Sequence, residues 1–335
     1  MRKLLLGTTA LAAAATLSAN AALADVSISG SYEFKYKSTS SNAAANDGTS
    51  FSHGDNDLIL TFTNKTDSGL DLTYRYDFGA VASSDAASTA DENSLTIAGG
   101  FGKIVLGTDD DASDTYNQDE MDLIAEEPSI ELNAADGNTG SASIRQNSSV
   151  ASSDALKVAY HIPAMGGLTA GISHTDSGDD NSTDTLAYGA KYTMDAGGAN
   201  ITLSYAAKKT DAATTDADDS SIGAKIASGP ITFLISQGQY EASDEDIETQ
   251  GASITYSLGN GVTLGAFTVK SEDDLDAGEE FSASGAEIQY EIASGLSAVI
   301  THTDYDYKVV TGTHEASSPS NDSGSATQLT IKASF

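Results

Sequence analysis

The last eight residues of the chain alternate apolar and polar side chains without a break. Apolar residues occupy the odd positions and polar residues the even ones: Leu329, Ile331, Ala333 and Phe335 against Gln328, Thr330, Lys332 and Ser334. A period of two is that of a β-strand with one apolar and one wet face. The same alternation covers 25–37 and 69–79, where the polar face carries charge. Charge inside a packed sandwich would be very costly, whereas a water-filled lumen accepts it, so the pattern predicts a wet-centred barrel.

After Asp25 no apolar run approaches the ~20 residues that a spanning helix needs. A membrane barrel needs no such run, because each tilted strand of ~9–11 residues turns only alternate side chains to the lipid. Periodicity, not total hydropathy, therefore has to identify the spanning segments.

Counting alternating segments predicts sixteen strands. They are 25–37, 55–65, 69–79, 92–100, 102–108, 154–162, 167–176, 184–194, 199–209, 218–228, 230–241, 247–258, 261–271, 280–293, 295–307 and 325–335. Tight turns such as Gly259-Asn260-Gly261 alternate with long polar connections. An even strand number with short turns on one rim and long loops on the other predicts an all-β fold, a transmembrane antiparallel up-and-down β-barrel with both termini on one side.

The N-terminus has the pattern of a secretory signal peptide. Arg2 and Lys3 precede an apolar stretch, and the triplet Ala22-Leu23-Ala24 ends it before Asp25. We expect residues 1–24 to be cleaved and residues 25–335 to form the barrel domain. Of the 16 basic residues two are then lost, which leaves 14 against 49 acidic ones and a formal charge of −35. That balance excludes a nucleic-acid partner, and the absence of cysteine excludes disulfides and thiolate metal sites.

The connection from Asp109 to Ser153 is long for a structureless loop, and loops of this length are usually functional. A constriction loop folded into the lumen would give it a function. Apolar residues that could pin it to an inner wall are Met121, Leu123, Ile124, Ile130 and Leu132. The alternative is a further strand at 141–150, which would make seventeen.

The chain lacks the sequence signatures of an enzyme. Its five histidines, at positions 53, 161, 174, 302 and 314, are scattered, and no G-x-S-x-G, H-E-x-x-H or P-loop is present. We therefore expect no catalytic function. A secreted or surface-attached acidic β-rich adhesin or array protein remains as the alternative function class, because it would share the acidity and the signal peptide.

Several short motifs resemble a known family. Residues 100–107, GFGKIVLG, are similar to the strand that precedes the constriction loop in Gram-negative trimeric porins. Residues 145–148, RQNS, and 160–168, YHIPAMGGL, are similar to the passage that closes this loop in the alphaproteobacterial, Rhodobacter-like general porins. The resemblance implies an outer-membrane homotrimer that passes small hydrophilic solutes and ions. Phe335 resembles the C-terminal aromatic that barrel-assembly machinery recognises. The chain departs from the family's arginine-rich pore wall, since only Arg75 and Arg145 follow the signal segment.

The resemblance places an acidic pore constriction in 109–153. Its predicted residues are Asp109, Asp110, Asp111, Asp114, Asp119, Glu120, Asp122, Glu126, Glu127 and Glu131. The predicted basic residues of the pore wall are Lys35, Lys37, Arg75 and Arg145. Carboxylates facing a narrow passage would favour cations, and bases opposite them would add a transverse field. The alternative is a solvated acidic loop.

Calcium is a weaker prediction, which rests on the density of oxygen ligands alone. The candidate ligands are Asp109, Asp111 and Asp114, or Asp176, Asp179 and Asp180. Neither set has the spacing of an EF-hand loop. No other cofactor is expected.

Overall fold

The fold is a single closed antiparallel β-barrel. The computed structural model describes residues 24–41, 47–54, 56–79, 90–126, 144–152, 155–176, 183–212, 216–243, 245–275, 279–308 and 322–335. The strands are β1 Asp25–Ser41, β2 Gly48–His53, β3 Leu58–Lys65, β4 Asp71–Phe78, β5 Ala90–Gly99, β6 Gly102–Thr108, β7 Leu156–His161, β8 Leu168–Thr175, β9 Asp184–Asp195, β10 Ala199–Asp211, β11 Ala217–Ser228, β12 Ile231–Glu241, β13 Asp246–Gly259, β14 Val262–Asp273, β15 Glu280–Ala293, β16 Leu296–Lys308 and β17 Asp322–Ser334.

From β3 to β17 each strand pairs with the next one, and β17 pairs with β1 to close the sheet. Phe34 lies opposite Ile331, and the backbone of Phe335 exchanges hydrogen bonds with that of Gly30. The two ends of the barrel segment therefore meet on one rim, as the even strand number predicts.

The predicted second strand, 55–65, is confirmed as β3, whereas the short strand β2 that precedes it was not predicted. Both strands pair with β1. Strand β2 pairs with its C-terminal half, where Phe34 faces His53, and β3 pairs with its N-terminal half, where Gly30 faces Leu58. The barrel thus has sixteen strand positions, one of which is divided between β2 and β3.

The predicted tight turns join consecutive strands along one rim. In the turn between β13 and β14, Asn260 and both flanking glycines have positive φ. Asparagine and glycine tolerate this conformation better than other residues, which explains the Gly-Asn-Gly sequence.

The outward faces of the strands carry an apolar band. On β12, Ile231, Phe233 and Ile235 are exposed, and on β13 so are Ile254, Tyr256 and Leu258. In a closed sheet the alternate side chains point into the lumen, where polar ones such as Ser236 and Thr249 lie. Exposed apolar side chains outside and polar ones inside are the reverse of a water-soluble protein.

The segment after β6 folds into the lumen, and we call it the lumen loop. Its described residues form two limbs, 109–126 and 144–152. It contains a short helix α1, Ala112–Tyr116, and a 3₁₀ helix, Glu120–Leu123. Helix α1 packs on β8, β9 and β10, and the 3₁₀ helix packs on β12, β13 and β14. The described part of the alternative strand at 141–150, residues 144–150, is not a strand. No helix in the described ranges is long and apolar enough to span a membrane.

Candidate functional site

Apolar side chains pin the lumen loop to the inner wall, as predicted for two of the five candidates. Met121 and Ile124 are buried in a cluster with Phe267 and Phe281 of the wall, and Ile144 of the returning segment joins them. Leu123 is half-buried, whereas Ile130 and Leu132 lie outside the described residues. Among the described residues, the buried apolar cluster is therefore the one that holds this loop.

Four of the predicted constriction carboxylates are buried where the loop meets the wall. These are Asp111, Asp119, Glu120 and Glu126. Asp109 is half-buried, whereas Asp110, Asp114 and Asp122 are exposed. Glu127 and Glu131 lie outside the described residues. The predicted acidic set therefore divides into buried carboxylates, which hold the loop, and exposed ones, which can act on the water of the lumen.

Glu120 is completely buried and joins both limbs of the loop to β12. Its Oε2 accepts hydrogen bonds from the hydroxyls of Ser148, at 2.6 Å, and Ser236, at 2.7 Å. The backbone N–H of Ser148 donates to Oε1 at 3.2 Å. Hydrogen bonds to a charged acceptor are stronger than neutral ones, so this carboxylate is a strong anchor.

Glu126 anchors the loop to the junction of β1 and β17. It forms ion pairs with Lys35 and, at 3.0 Å, with Lys332, and Gln328 donates to it at 2.9 Å. Lys332 also pairs with Glu33 at 2.9 Å and donates to the carbonyl of Ala125 at 2.7 Å. Lys35, predicted to face the loop across the lumen, instead contacts it directly.

Two of the other predicted wall bases, Arg75 and Arg145, are also paired with carboxylates. Arg75 donates to Asp77, at 2.5 Å, and to Glu92 on the neighbouring strand. Arg145 pairs with Asp219 at 2.5 Å, and its guanidinium lies 4.6 Å from the ring centre of Tyr240. Lys37 is buried on the inner face of β1. These pairs cancel much of the positive charge that the sequence placed along the wall.

Near α1 the loop is held by further polar contacts. The Tyr116 hydroxyl shares a hydrogen bond of 2.8 Å with Nδ1 of His161, and burial raises the pKa of this tyrosine. The N–H of Ala112 donates to Ser173 at 2.9 Å, and Lys157 forms an ion pair with Asp111 at 3.5 Å. All three wall partners point inward from β7 or β8.

Asp122 differs from the buried anchors because its side chain reaches water. Partial burial nevertheless raises its pKa; the charges of Lys191 and Lys225 act in the opposite direction, and Glu120 adds to the rise. Asp122 therefore gains its proton at a higher pH than an ordinary aspartate does.

Calcium binding stays a prediction. Among the described residues, the carboxylates close enough to share one cation are Glu92, Asp109 and Asp110. Asp111 and Asp114 are not part of this group, Asp176 joins no such group, and Asp179 and Asp180 lie outside the described residues. Arg75 already donates to Glu92 in this group.

Sequence reasoning missed several residues that hold the loop. The most important are Lys157, Ser148, Asp219, Ser236, Glu287 and Lys332. Inward parity on the predicted strands was the available signal for the wall residues. Parity alone does not show which inward side chains contact the loop.

The closed barrel with an inward loop agrees with the family comparison. The model of the Gram-negative porin family matches residues 7–309. The chain belongs to this family. As a porin it is an outer-membrane channel protein, and its family and fold point to a channel rather than to an enzyme or a sandwich adhesin.

Solved structures with the same fold are distant in sequence. The trimer form of OmpT, an outer membrane protein of Vibrio cholerae, has a TM-score of 0.66 and 12% identity, over 93% of this chain and 100% of that chain. A Rh. blastica porin mutant has a TM-score of 0.63 and 14% identity, and a further porin structure has a TM-score of 0.59 and 18% identity. Each of these two matches covers 93% of this chain and 100% of the other chain. No curated protein matches this porin significantly in sequence.

Proposed function

We propose that this porin is a water-filled channel for small hydrophilic solutes that prefers cations. The observation that carries the proposal is the exposure of Asp110, Asp114 and Asp122 on the lumen loop. The segment from Asp109 to Glu126 has no Lys or Arg. Carboxylates at the edge of a narrow aqueous passage lower the energy of a cation and raise that of an anion.

Charge pairing on the wall supports the same sign of selectivity. Lys35 and Lys332 share Glu33 and Glu126, and Arg75 is bound by two carboxylates. Because an ion pair has little net field beyond its own length, these bases offset the exposed loop carboxylates only weakly. Lys191 and Lys225, near Asp122, reduce the preference locally.

The proposal is tested by neutralising the three exposed carboxylates and leaving the buried anchors intact. In D110N/D114N/D122N, the reversal potential in a salt gradient should move toward anion permeation. The shift should be larger in dilute salt, since screening lengths are about 8 Å at physiological ionic strength and longer below it. Single-channel conductance should change less than selectivity.

A matched control removes three carboxylates from the outer surface. Glu241, Glu248 and Asp304 are exposed and share the outward parity of Ile235, Ile254 and Ile300. E241Q/E248Q/D304N alters the net charge equally but should keep the wild-type reversal potential. Equal shifts in both triple variants would show that the loop is not the filter.

Export, assembly and oligomerisation complete the proposal. Strand β1 begins at Asp25, directly after the proposed cleavage point. Phe335 is 85% exposed beyond the end of β17, where assembly machinery could bind it. The trimer form of the similar OmpT supports a homotrimer.

A further inference from the structure

Five inward glycines lie under the lumen loop on β8, β9, β11, β12 and β13. They are Gly171, Gly189, Gly223, Gly238 and Gly251, and we call them the glycine seat. None of the five has a positive φ, so their backbone conformation is open to any residue. Glycine in the interior of a strand weakens it and often marks the close approach of another backbone. Space, not backbone conformation, accounts for glycine at these positions.

Both limbs of the loop fill the space that the missing side chains leave. A Cβ on Gly189 would lie 2.7 Å from Cβ of Tyr116, and one on Gly238 would lie 2.6 Å from the carbonyl oxygen of Ser148. A Cβ on Gly223 would meet the carbonyl oxygen of Gln118 more closely still. Real Cβ atoms essentially never come within 3.0 Å of such atoms. The loop backbone therefore lies as close to the wall as glycine permits.

The seat is continuous across the strands. Gly171 pairs with Gly189, which pairs with Ala206 of β10. In the neighbouring row Gly223 and Gly251 flank Ser236, the residue that donates to Glu120. The wall here is a shallow groove lined by small residues, and the hydrogen bond between Ser236 and Glu120 holds the loop in this groove.

We infer that the glycine seat sets the aperture of the channel by fixing the distance between the loop and the wall. Close-packed interiors transmit such displacements instead of absorbing them. One added methyl group requires the loop to move by about 1 Å to restore ordinary contact distances. The opposite side of the loop faces the lumen, so this movement narrows the passage.

The experiment compares single alanine substitutions in the seat with one outside it. In single-channel recordings, G223A and G238A should lower the conductance on the order of 1.2-fold to 2-fold and exclude smaller neutral polymers than the wild type does. Gly100 is the matched control, because its φ is not positive and a Cβ there meets nothing within 4 Å. G100A should keep the wild-type conductance. Single-channel recording reports assembled barrels only, so a lower yield of a variant does not affect the comparison.

A double variant tests whether the contact itself is the cause. A Cβ on Gly251 would meet the carboxylate end of Glu120, and E120D draws that end back by one methylene. G251A should narrow the pore, and E120D should restore more conductance in the G251A channel than it adds to the otherwise wild-type channel. Conductance at or above the wild-type value in G223A and G238A would overturn the inference. So would a G251A channel that the second substitution fails to widen.

This inference rests on the channel function but not on its cation preference. Reversal potentials from the same recordings test the preference separately. A porin with unselective currents and a narrowed G223A pore would refute the proposed selectivity and support the glycine seat.

Discussion

Two carboxylates of the 3₁₀ helix, Glu120 and Asp122, lie in different surroundings although they are two residues apart. Glu120 is fully buried and accepts three hydrogen bonds, whereas Asp122 is exposed on the lumen side. The separation follows from helix geometry, because residues two apart point in different directions. Neutralising Glu120 would release the loop, so it is a poor probe of selectivity.

Asp122 predicts a pH dependence of selectivity. Burial raises its pKa, so lowering the pH protonates it before ordinary exposed aspartates, and its negative charge is lost. The cation preference of the wild type should therefore begin to fall at a pH above the usual range for aspartate. Reversal potentials measured from neutral to acid pH give this profile.

The D122N variant should lose this early step of the profile while keeping a smaller preference at neutral pH. D114N is the control: it should lower the preference at neutral pH but keep the early step. An unaltered acid profile in D122N would assign the titration to another group.

At the residue scale the sequence predicted that the loop is acidic but not which of its carboxylates are buried and which are exposed. The acidity of 109–131 and the pinning by Met121 and Ile124 could be predicted from composition and pattern. The burial of Asp111, Glu120 and Glu126 could not, because it depends on inward partners such as Ser236 and Lys332, which are distant in sequence. The seat glycines were visible as inward positions, but nothing local indicated that Tyr116 or Gln118 lies against them.

The strands illustrate what periodicity can and cannot define. Alternation located all sixteen predicted strands, each of which overlaps one observed strand. It missed β2, because residues 48–53 have the sequence pattern of a polar loop. The strand conformation of β2 depends on pairing with β1. There the ring centre of Phe51 lies 5.5 Å from that of Phe34 and 5.3 Å from that of Tyr36.

The outward face of β13 predicts a depth-dependent cost of charge. Ile254 lies in the apolar band and Gln250 nearer the loop rim, both outward on the same strand. I254K should lower the free energy of unfolding in lipid by about 2–4 kcal/mol, and Q250K by about 0–1 kcal/mol. Denaturant titration of the barrel in lipid vesicles measures both. Equal costs at the two positions would contradict the proposed orientation of the strand in the membrane.

At the scale of the whole molecule, a sheet with apolar side chains outside encloses a polar lumen, and a bonded loop narrows it. The described carboxylates fall into three groups: some hold the loop, some pair with wall bases and some face the lumen. The fold follows from period-two patterning, whereas the shape of the passage follows from contacts between the loop and the distant wall. The first could be predicted from the sequence, and the second required the structure.

The most direct test of the account is the current through the purified wild-type porin in a planar lipid bilayer under a salt gradient. The account predicts discrete steps of conductance and a reversal potential of the sign given by cation permeation, with its magnitude growing as the salt is diluted. A bilayer that stays non-conducting in the presence of folded protein would contradict the channel. A reversal potential of the opposite sign would contradict the assignment of selectivity to the exposed loop carboxylates.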